Sequence, residues 1–201
     1  MLPRSRQDAR RGGDLMNSCK IGMVVALLVG LSRAAPVEQL GSNKVGNTFP
    51  DHVGIDVSHP GTDLTSPGDL LTLPSARYVF VAFFQTTCVP CLAEITQLAQ
   101  GRARLHEKGI EVLLVGVQED PSDLRKLIKT RGWDFPVIAD RFDGEYSHQC
   151  GIITKAADGN EIRRIPSAAL LCKGKNGDLV LEAAWQGEEP DIVQHILTAA
   201  K

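Results

Sequence analysis

Two cysteines separated by two residues follow directly after an apolar strand pattern. The strand pattern runs from Val79 to Phe84, and the cysteines are Cys88 and Cys91. From Pro90 onward, apolar side chains recur at helical spacing, and proline is favoured in the first turn of a helix because its missing N–H would have had no partner there. The sequence therefore predicts a cysteine pair at a strand-to-helix corner.

This corner gives the two cysteines different chemistry. Cys88 lies at the predicted helix N-terminus, where unpaired N–H groups and the helix dipole stabilise a thiolate relative to a free cysteine with a pKa of about 8.5. Cys91, one turn further on, is expected to be more buried. Such a pair suits disulfide exchange, in which the exposed thiolate attacks a substrate disulfide and the shielded thiol resolves the mixed disulfide.

Other uses of a cysteine pair fit the sequence less well. A zinc half-site needs a second Cys or His pair at metal-ligand spacing, and the sequence has none. Haem attachment needs a histidine directly after the second cysteine, where Leu92 stands. A purely structural disulfide remains an alternative, although such a bridge does not require a strand-to-helix corner.

The segment from Phe83 to Glu94 resembles the active-site region of thioredoxin-fold proteins, especially the exported TlpA/ResA type. The resemblance covers roughly Phe49 to Lys201 and implies a thiol-disulfide oxidoreductase without a cofactor. Its expected partners are disulfide-bearing protein substrates and a redox donor or acceptor protein. The composition, 43% hydrophobic and 23% charged with a net charge of −2, suits one soluble domain and gives no indication of nucleic-acid binding.

The expected fold is α/β and thioredoxin-like, with a central mixed sheet flanked by helices. Short apolar pieces between residues 51 and 75 predict a small N-terminal hairpin that covers the sheet edge. The segment Phe135 to Asp140 resembles a strand that TlpA-type proteins insert, and Glu145 to Cys150 would be its short helix. The inserted strand and helix are expected before a later strand that begins near Pro166.

A second motif, Ile165-Pro166, opens another apolar strand pattern. Proline cannot lie in the middle of a β-ladder, so it is expected at the start of the strand. In the family such a proline is cis and packs against the active-site disulfide. The resemblance thus implies that Ile165, Pro166 and Thr87 contact the substrate, and that Cys88 and Cys91 form the redox-active disulfide.

Glu94 is the candidate proton carrier. It lies one turn after Cys91, where the family has an active-site glutamate and where a carboxylate can accept or deliver the proton of the resolving cysteine. The alternative is a solvated glutamate favoured by the helix dipole. Thr87 replaces the family's usual tryptophan, and Ala82 stands where thioredoxin has a buried aspartate. The predicted catalytic residues are therefore Cys88, Cys91 and Glu94.

The stretch 152–165, before the proline, is longer than is usual in the family. A turn at residues 158–160 divides it, so it predicts either a substrate-gripping loop near Cys88 or a solvated surface hairpin. Cys150 and Cys172 lie on either side of this stretch. They are expected either to form a bridge or to remain free thiols.

Two rival functions remain open from the sequence. A peroxiredoxin-like peroxidase needs threonine or serine three residues before the reactive cysteine, where Gln85 stands. A copper carrier would use Cys88 and Cys91 with His148, since soft thiolates select Cu(I).

The N-terminal residues predict export. Basic residues precede an apolar run from Ile21 to Leu31, and small residues follow, so residues 1–34 are expected to be a signal peptide cleaved after Ala34. The run is shorter than the about 20 residues of a membrane span, although an uncleaved anchor and a wrongly assigned start of a cytosolic protein are alternatives. Met16 is a candidate for the true start, since it would give the signal peptide a short basic region of ordinary length. Residues 35–48 predict a flexible lead-in and 49–201 the thioredoxin-like domain. The expected location is an oxidising compartment such as a bacterial periplasm, with no stable membrane span after cleavage.

Overall fold

A five-stranded mixed sheet is the centre of the fold in a computed structural model of the chain, which describes residues 36–59 and 64–201. The strands are β1 Gln39–Leu40, β2 Asn43–Lys44, β3 Tyr78–Phe84, β4 Ile110–Val117, β5 Val137–Asp140, β6 Ile153–Lys155, β7 Glu161–Arg163, β8 Ser167–Lys173 and β9 Leu179–Gln186. The helices are α1 Pro67–Leu70, α2 Val89–Glu107, α3 Pro121–Arg131, α4 Glu145–Gln149 and α5 Ile192–Ala199.

The order of the strands in this sheet is β5-β4-β3-β8-β9. β3, β4 and β5 run parallel, whereas β8 is antiparallel to both β3 and β9. All seven residues of β3 are buried, as expected for a strand with a continuous apolar sequence at the centre of a sheet. This arrangement, together with the inserted β5 and α4, confirms the predicted thioredoxin-like architecture.

Alternate residues of β3 face two separate hydrophobic layers, because successive side chains of a strand point to opposite faces of the sheet. Phe80, Ala82 and Phe84 belong to one layer, which α2, α3 and α5 cover. Val79 and Phe83 belong to the other layer, to which α4 contributes Tyr146. The helix that carries the cysteine pair therefore packs on the first face.

Residues 35–48 differ from the predicted flexible lead-in wherever the structure describes them. The backbone N–H groups of Val37, Gly46 and Phe49 donate hydrogen bonds of 2.7–2.8 Å to carbonyl groups of β9. The Leu40 and Phe49 side chains are buried in the second layer. This pairing was missed because backbone hydrogen bonds to a distant strand impose no side-chain periodicity on the segment.

The small hairpin expected within residues 51–75 lies elsewhere. β1 and β2 form a short hairpin at 39–44, whereas residues 51–75 form isolated bridges between Gly54 and Thr65 and between Asp56 and Ile138, followed by α1. Asp56 accounts for much of this geometry, since its buried carboxylate accepts a hydrogen bond of 3.1 Å from the N–H of Val137. The alternating apolar residues of this segment predict a hairpin, whereas a hydrogen bond from Val137 to the polar side chain of Asp56 fixes its position.

The predicted signal peptide, including Cys19, lies outside the described residues. Among the residues that the structure describes, no helix has the length and apolar character needed to cross a membrane.

Candidate active site

Cys88 and Cys91 form a disulfide at the junction of β3 and α2, with an S–S distance of 2.02 Å. Cys88 is the N-cap of α2, and its Sγ accepts a hydrogen bond of 3.3 Å from the N–H of Cys91. The Cys88 N–H donates to the carbonyl of Gln85 across 3.0 Å, which turns the chain out of the strand. The predicted strand-to-helix corner is therefore present.

The two sulfur positions differ in their access to solvent. Cys91 is 1% exposed and belongs to the first hydrophobic layer, whereas Cys88 is only partly buried. Thr87 and Val89, on either side of Cys88, are both exposed, and Val89 retains 75% of its accessible surface. An incoming substrate would meet Cys88 before Cys91.

The Ile165–Pro166 peptide bond is cis, as the resemblance implied. In the antiparallel pairing of β3 with β8, Ser167 lies opposite Phe83, so Pro166 is at the end of β3 that leads to Cys88. Pro166 is buried and Ile165 is partly buried. The structure thus brings this proline to the same end of the sheet as the cysteine pair.

Glu94 is buried rather than solvated, which excludes the alternative of a simple surface charge. Its side chain is 9% exposed, and its Oε1 accepts a hydrogen bond of 2.7 Å from the N–H of Glu189. Burial is the main cause that raises the pKa of Glu94 to about 7, and the negative charges of Glu189 and Glu188 add to the shift, against the effect of the hydrogen bond. Glu94 therefore exchanges a proton close to neutral pH.

Glu119 is a site residue that the sequence analysis missed. It follows β4, and its Oε1 accepts hydrogen bonds from the N–H of Thr86 at 2.7 Å and from the Thr86 hydroxyl at 3.0 Å. The carboxyl ends of parallel strands meet at one edge of a sheet, so a polar residue just after β4 was a signal available in the sequence.

Gln118 connects this edge to the stretch before the proline. It has a φ of 54°, in the left-handed region that residues other than glycine rarely adopt. Its amide donates to Glu161 across 3.2 Å, and its Oε1 accepts a hydrogen bond from Arg163. The stretch 152–165 is thus the hairpin β6–β7, bound by its second strand to the residue that follows β4.

Gln85 occupies the position where the peroxidase alternative needs threonine or serine. Its amide group donates a hydrogen bond of 3.1 Å to the carbonyl of Val117, so the side chain joins the ends of β3 and β4. The copper alternative needs His148 beside the cysteine pair, but His148 lies 3.6 Å from the carboxylate of Glu161. Within the described ranges, no group of three or more His, Cys, Asp or Glu side chains is placed to hold a metal ion.

Cys150 and Cys172 are both free thiols. Cys150 is fully buried in the second hydrophobic layer, whereas Cys172 packs against the first. The two thiols therefore lie on opposite faces of the central sheet, and the bridge considered between them does not form in this structure.

A protein-family model described as Redoxin matches residues 44–179, which include the cysteine pair and the cis-proline. Among curated proteins, the thiol-disulfide oxidoreductase ResA of Geobacillus thermodenitrificans is 31% identical over 152 residues, covering 76% of this chain and 76% of that protein.

Solved structures share the fold at lower identity. A crystal structure of a thiol:disulfide interchange protein DsbE from Chlorobium tepidum has a TM-score of 0.60 and 21% identity, covering 80% of this chain and all of that one. Peroxidoxin BcpB of Mycobacterium tuberculosis has a TM-score of 0.62 and 16% identity, covering 79% and 94%. At these identities the structures establish the shared fold alone.

Proposed function

The chain belongs to the redoxin family and is a thiol-disulfide oxidoreductase similar to ResA, and on this basis we propose that it is exported and reduces disulfides of protein substrates through Cys88. The observation that carries the proposal is the disulfide between a partly exposed Cys88 at a helix N-terminus and a Cys91 that is 1% exposed. Pro90, directly before the second cysteine as in thioredoxin, supports reduction as the direction of the reaction.

The reaction begins with the reduced dithiol form. The Cys88 thiolate, stabilised by the N–H groups at the start of α2, attacks one sulfur of a substrate disulfide and displaces the other as a thiolate. The Cys91 thiol then loses its proton and attacks Cys88 Sγ. This second step releases the remaining substrate sulfur and forms the Cys88–Cys91 bond.

Two electrons thereby pass from the protein to the substrate, whose two sulfurs leave as thiols. A donor protein carrying a dithiol must return the two electrons before another cycle, by the reverse exchange at Cys88. Glu94 takes the proton of Cys91 and delivers it to the departing sulfur, a role supported by its position one turn along α2 and its pKa of about 7.

Substrate contacts are assigned to the exposed surface around Cys88. Thr87 borders the attacking sulfur directly, and Ile165 with cis Pro166 lies at the same end of the sheet. A backbone segment of the substrate would meet these residues as its disulfide approaches Cys88.

The direction of the reaction is tested by equilibrating the Cys88–Cys91 couple with glutathione. A reductase is expected to give a potential close to that of thioredoxin, whereas a potential close to that of DsbA would overturn the assignment. Turnover of insulin disulfides by the reduced protein, compared with Cys88→Ala, provides the second measurement.

Export rests on the basic and apolar pattern of residues 1–34. Expression in a Gram-negative host followed by N-terminal sequencing of the periplasmic fraction is expected to find a mature chain that begins at Ala35. Recovery only from the cytoplasm with Met1 or Met16 intact would contradict export.

A further inference from the structure

Glu189, in the loop between β9 and α5, is a buried acid for which disulfide exchange by the cysteine pair gives no reason. It is 1% exposed, and among the described residues its Oε2 has no hydrogen-bond partner. The nearby indole N–H of Trp185 is also buried and likewise has no hydrogen-bond partner among the described residues. Burying a carboxylate is costly unless its charge is compensated, so such a residue calls for a function.

His195 on α5 lies beside one oxygen of Glu189. Its Nδ1 lies 2.9 Å from Glu189 Oε1, and its side chain is 21% exposed. The N–H of Asp191 donates to the same oxygen across 3.3 Å. Both contacts of Glu189 Oε1 therefore come from α5 and from the residue that precedes this helix.

The other side of Glu189 faces Glu94. The Glu189 N–H holds Glu94 Oε1 at 2.7 Å, and both residues line one small cleft together with Pro166 and Trp185. Two carboxylates at a buried site cannot both ionise without a large penalty, so the charge of one controls the proton of the other.

Building on the proposed function, we propose that Glu189, held on its other side by His195, is a positioning residue for Glu94. Its N–H fixes the carboxyl group of Glu94, and its buried negative charge raises the pH at which that group loses its proton. Glu94 can then serve as the proton donor and acceptor for Cys91.

The other ionisable groups around Glu94 have weaker effects on its charge. Glu188 is exposed, so solvent screens its charge, although it also raises the pKa of Glu94. Cys91, one turn earlier on α2, does not titrate while it is in the disulfide. Pro166 and the first two residues of β8, which line the cleft, contribute no ionisable side chain.

The test is a titration of the Glu94 carboxyl carbon by NMR, on the oxidised full-length protein with glutamate labelled with ¹³C. Glu94→Gln identifies the signal. Glu189→Gln keeps the N–H and the side-chain shape but removes the charge, so the Glu94 midpoint is expected to fall by about one pH unit. The matched control Glu188→Gln removes an adjacent exposed charge and is expected to shift the midpoint much less. Equal shifts in the two variants, or none in Glu189→Gln, would overturn the proposal.

His195→Gln provides a second, independent variant, which decides the matter if Glu189→Gln does not fold. His195 contacts Glu189 and not the Glu189 N–H that holds Glu94, so its replacement acts on Glu94 only through the charge of Glu189, and the Glu94 midpoint is expected to move from its native value. An unchanged midpoint contradicts the proposal. Because the carboxyl group itself is observed, failure of this inference is distinguishable from failure of disulfide reduction, which is measured separately with insulin.

Discussion

The carboxylate of Glu119 accepts a hydrogen bond of 2.7 Å from the backbone N–H of Thr86, two residues before Cys88. The same carboxylate contacts the Thr86 hydroxyl with both of its oxygens, at 3.0 and 3.1 Å. The segment that leads to Cys88 is thus bound to the residues that follow β4, and its position does not depend on α2 alone.

Removing this carboxylate is expected to weaken both the fold and the reaction. Glu119→Ala leaves a partly buried N–H without its acceptor, which lowers the free energy of unfolding by about 1–2 kcal/mol, measured by urea denaturation. Insulin reduction should slow, because Cys88 is held less firmly. Glu119→Gln retains one acceptor oxygen and should recover part of both losses. Glu38→Ala, at an exposed position, is the control, and an equal effect there would remove the role assigned to Glu119.

The unequal burial of the two cysteines predicts a division of labour. Cys91→Ala should still attack substrates through Cys88 but be unable to release them, so mixed disulfides accumulate. Cys88→Ala should form few such adducts, since Cys91 is 1% exposed. Non-reducing electrophoresis with mass spectrometry of both variants measures this, and adducts mainly on Cys91 would reverse the assigned roles.

The raised pKa of Glu94 predicts an unusual dependence of stability on pH. The folded protein holds the Glu94 proton up to about pH 7, whereas the unfolded chain loses it near the ordinary glutamate pKa of 4.5. Between these values the folded state binds more protons, so the Glu94 contribution to stability falls as pH rises, by up to about 3 kcal/mol in total. Glu94→Gln removes this contribution while keeping the acceptor oxygen for the Glu189 N–H.

Urea denaturation of the oxidised protein at pH 4.5 and pH 8 measures the effect. The variant should gain stability relative to the native protein as pH increases. Glu38→Gln, which removes an exposed carboxylate, should show little change. Parallel pH profiles for the native protein and Glu94→Gln would show that Glu94 ionises normally.

The two free thiols should differ in reactivity. Burial raises the pKa of Cys150 well above its ordinary value and also raises the pKa of Cys172, which is less enclosed. Alkylation of the native oxidised protein at pH 8 should therefore label Cys172 slowly and Cys150 only after unfolding. Peptide mapping by mass spectrometry assigns each site, and a peptide joining the two cysteines would contradict their placement on opposite faces of the sheet.

Local patterns in the sequence were sufficient for the cysteine corner and for much of the sheet. The apolar run before Cys88 and the proline after it define a strand and a helix start without reference to the rest of the chain. The position of Pro166 was predicted from the resemblance, because from its sequence alone an X-Pro bond is cis in only about 5% of cases.

Features that depend on residues far apart in the chain were not predictable. Glu94 has the sequence context of a solvated glutamate near the start of a helix, whereas in the structure it is buried and accepts a hydrogen bond from Glu189, 95 residues away. Similarly, nothing local indicated that Gly46 would donate to Leu181 or that Asp56 would bind Val137. In each case the partner is set by tertiary packing rather than by a repeating pattern.

The bonds that residues 37–49 make to β9 have a consequence for association between molecules. An uncovered outer strand is a template onto which another chain can add a strand, and this is a common route to aggregation. In this protein the chain itself occupies that template, and on the opposite outer strand the N–H of Val57 donates to Val137 across 2.9 Å. Self-association by strand addition is thereby disfavoured at both sides of the sheet.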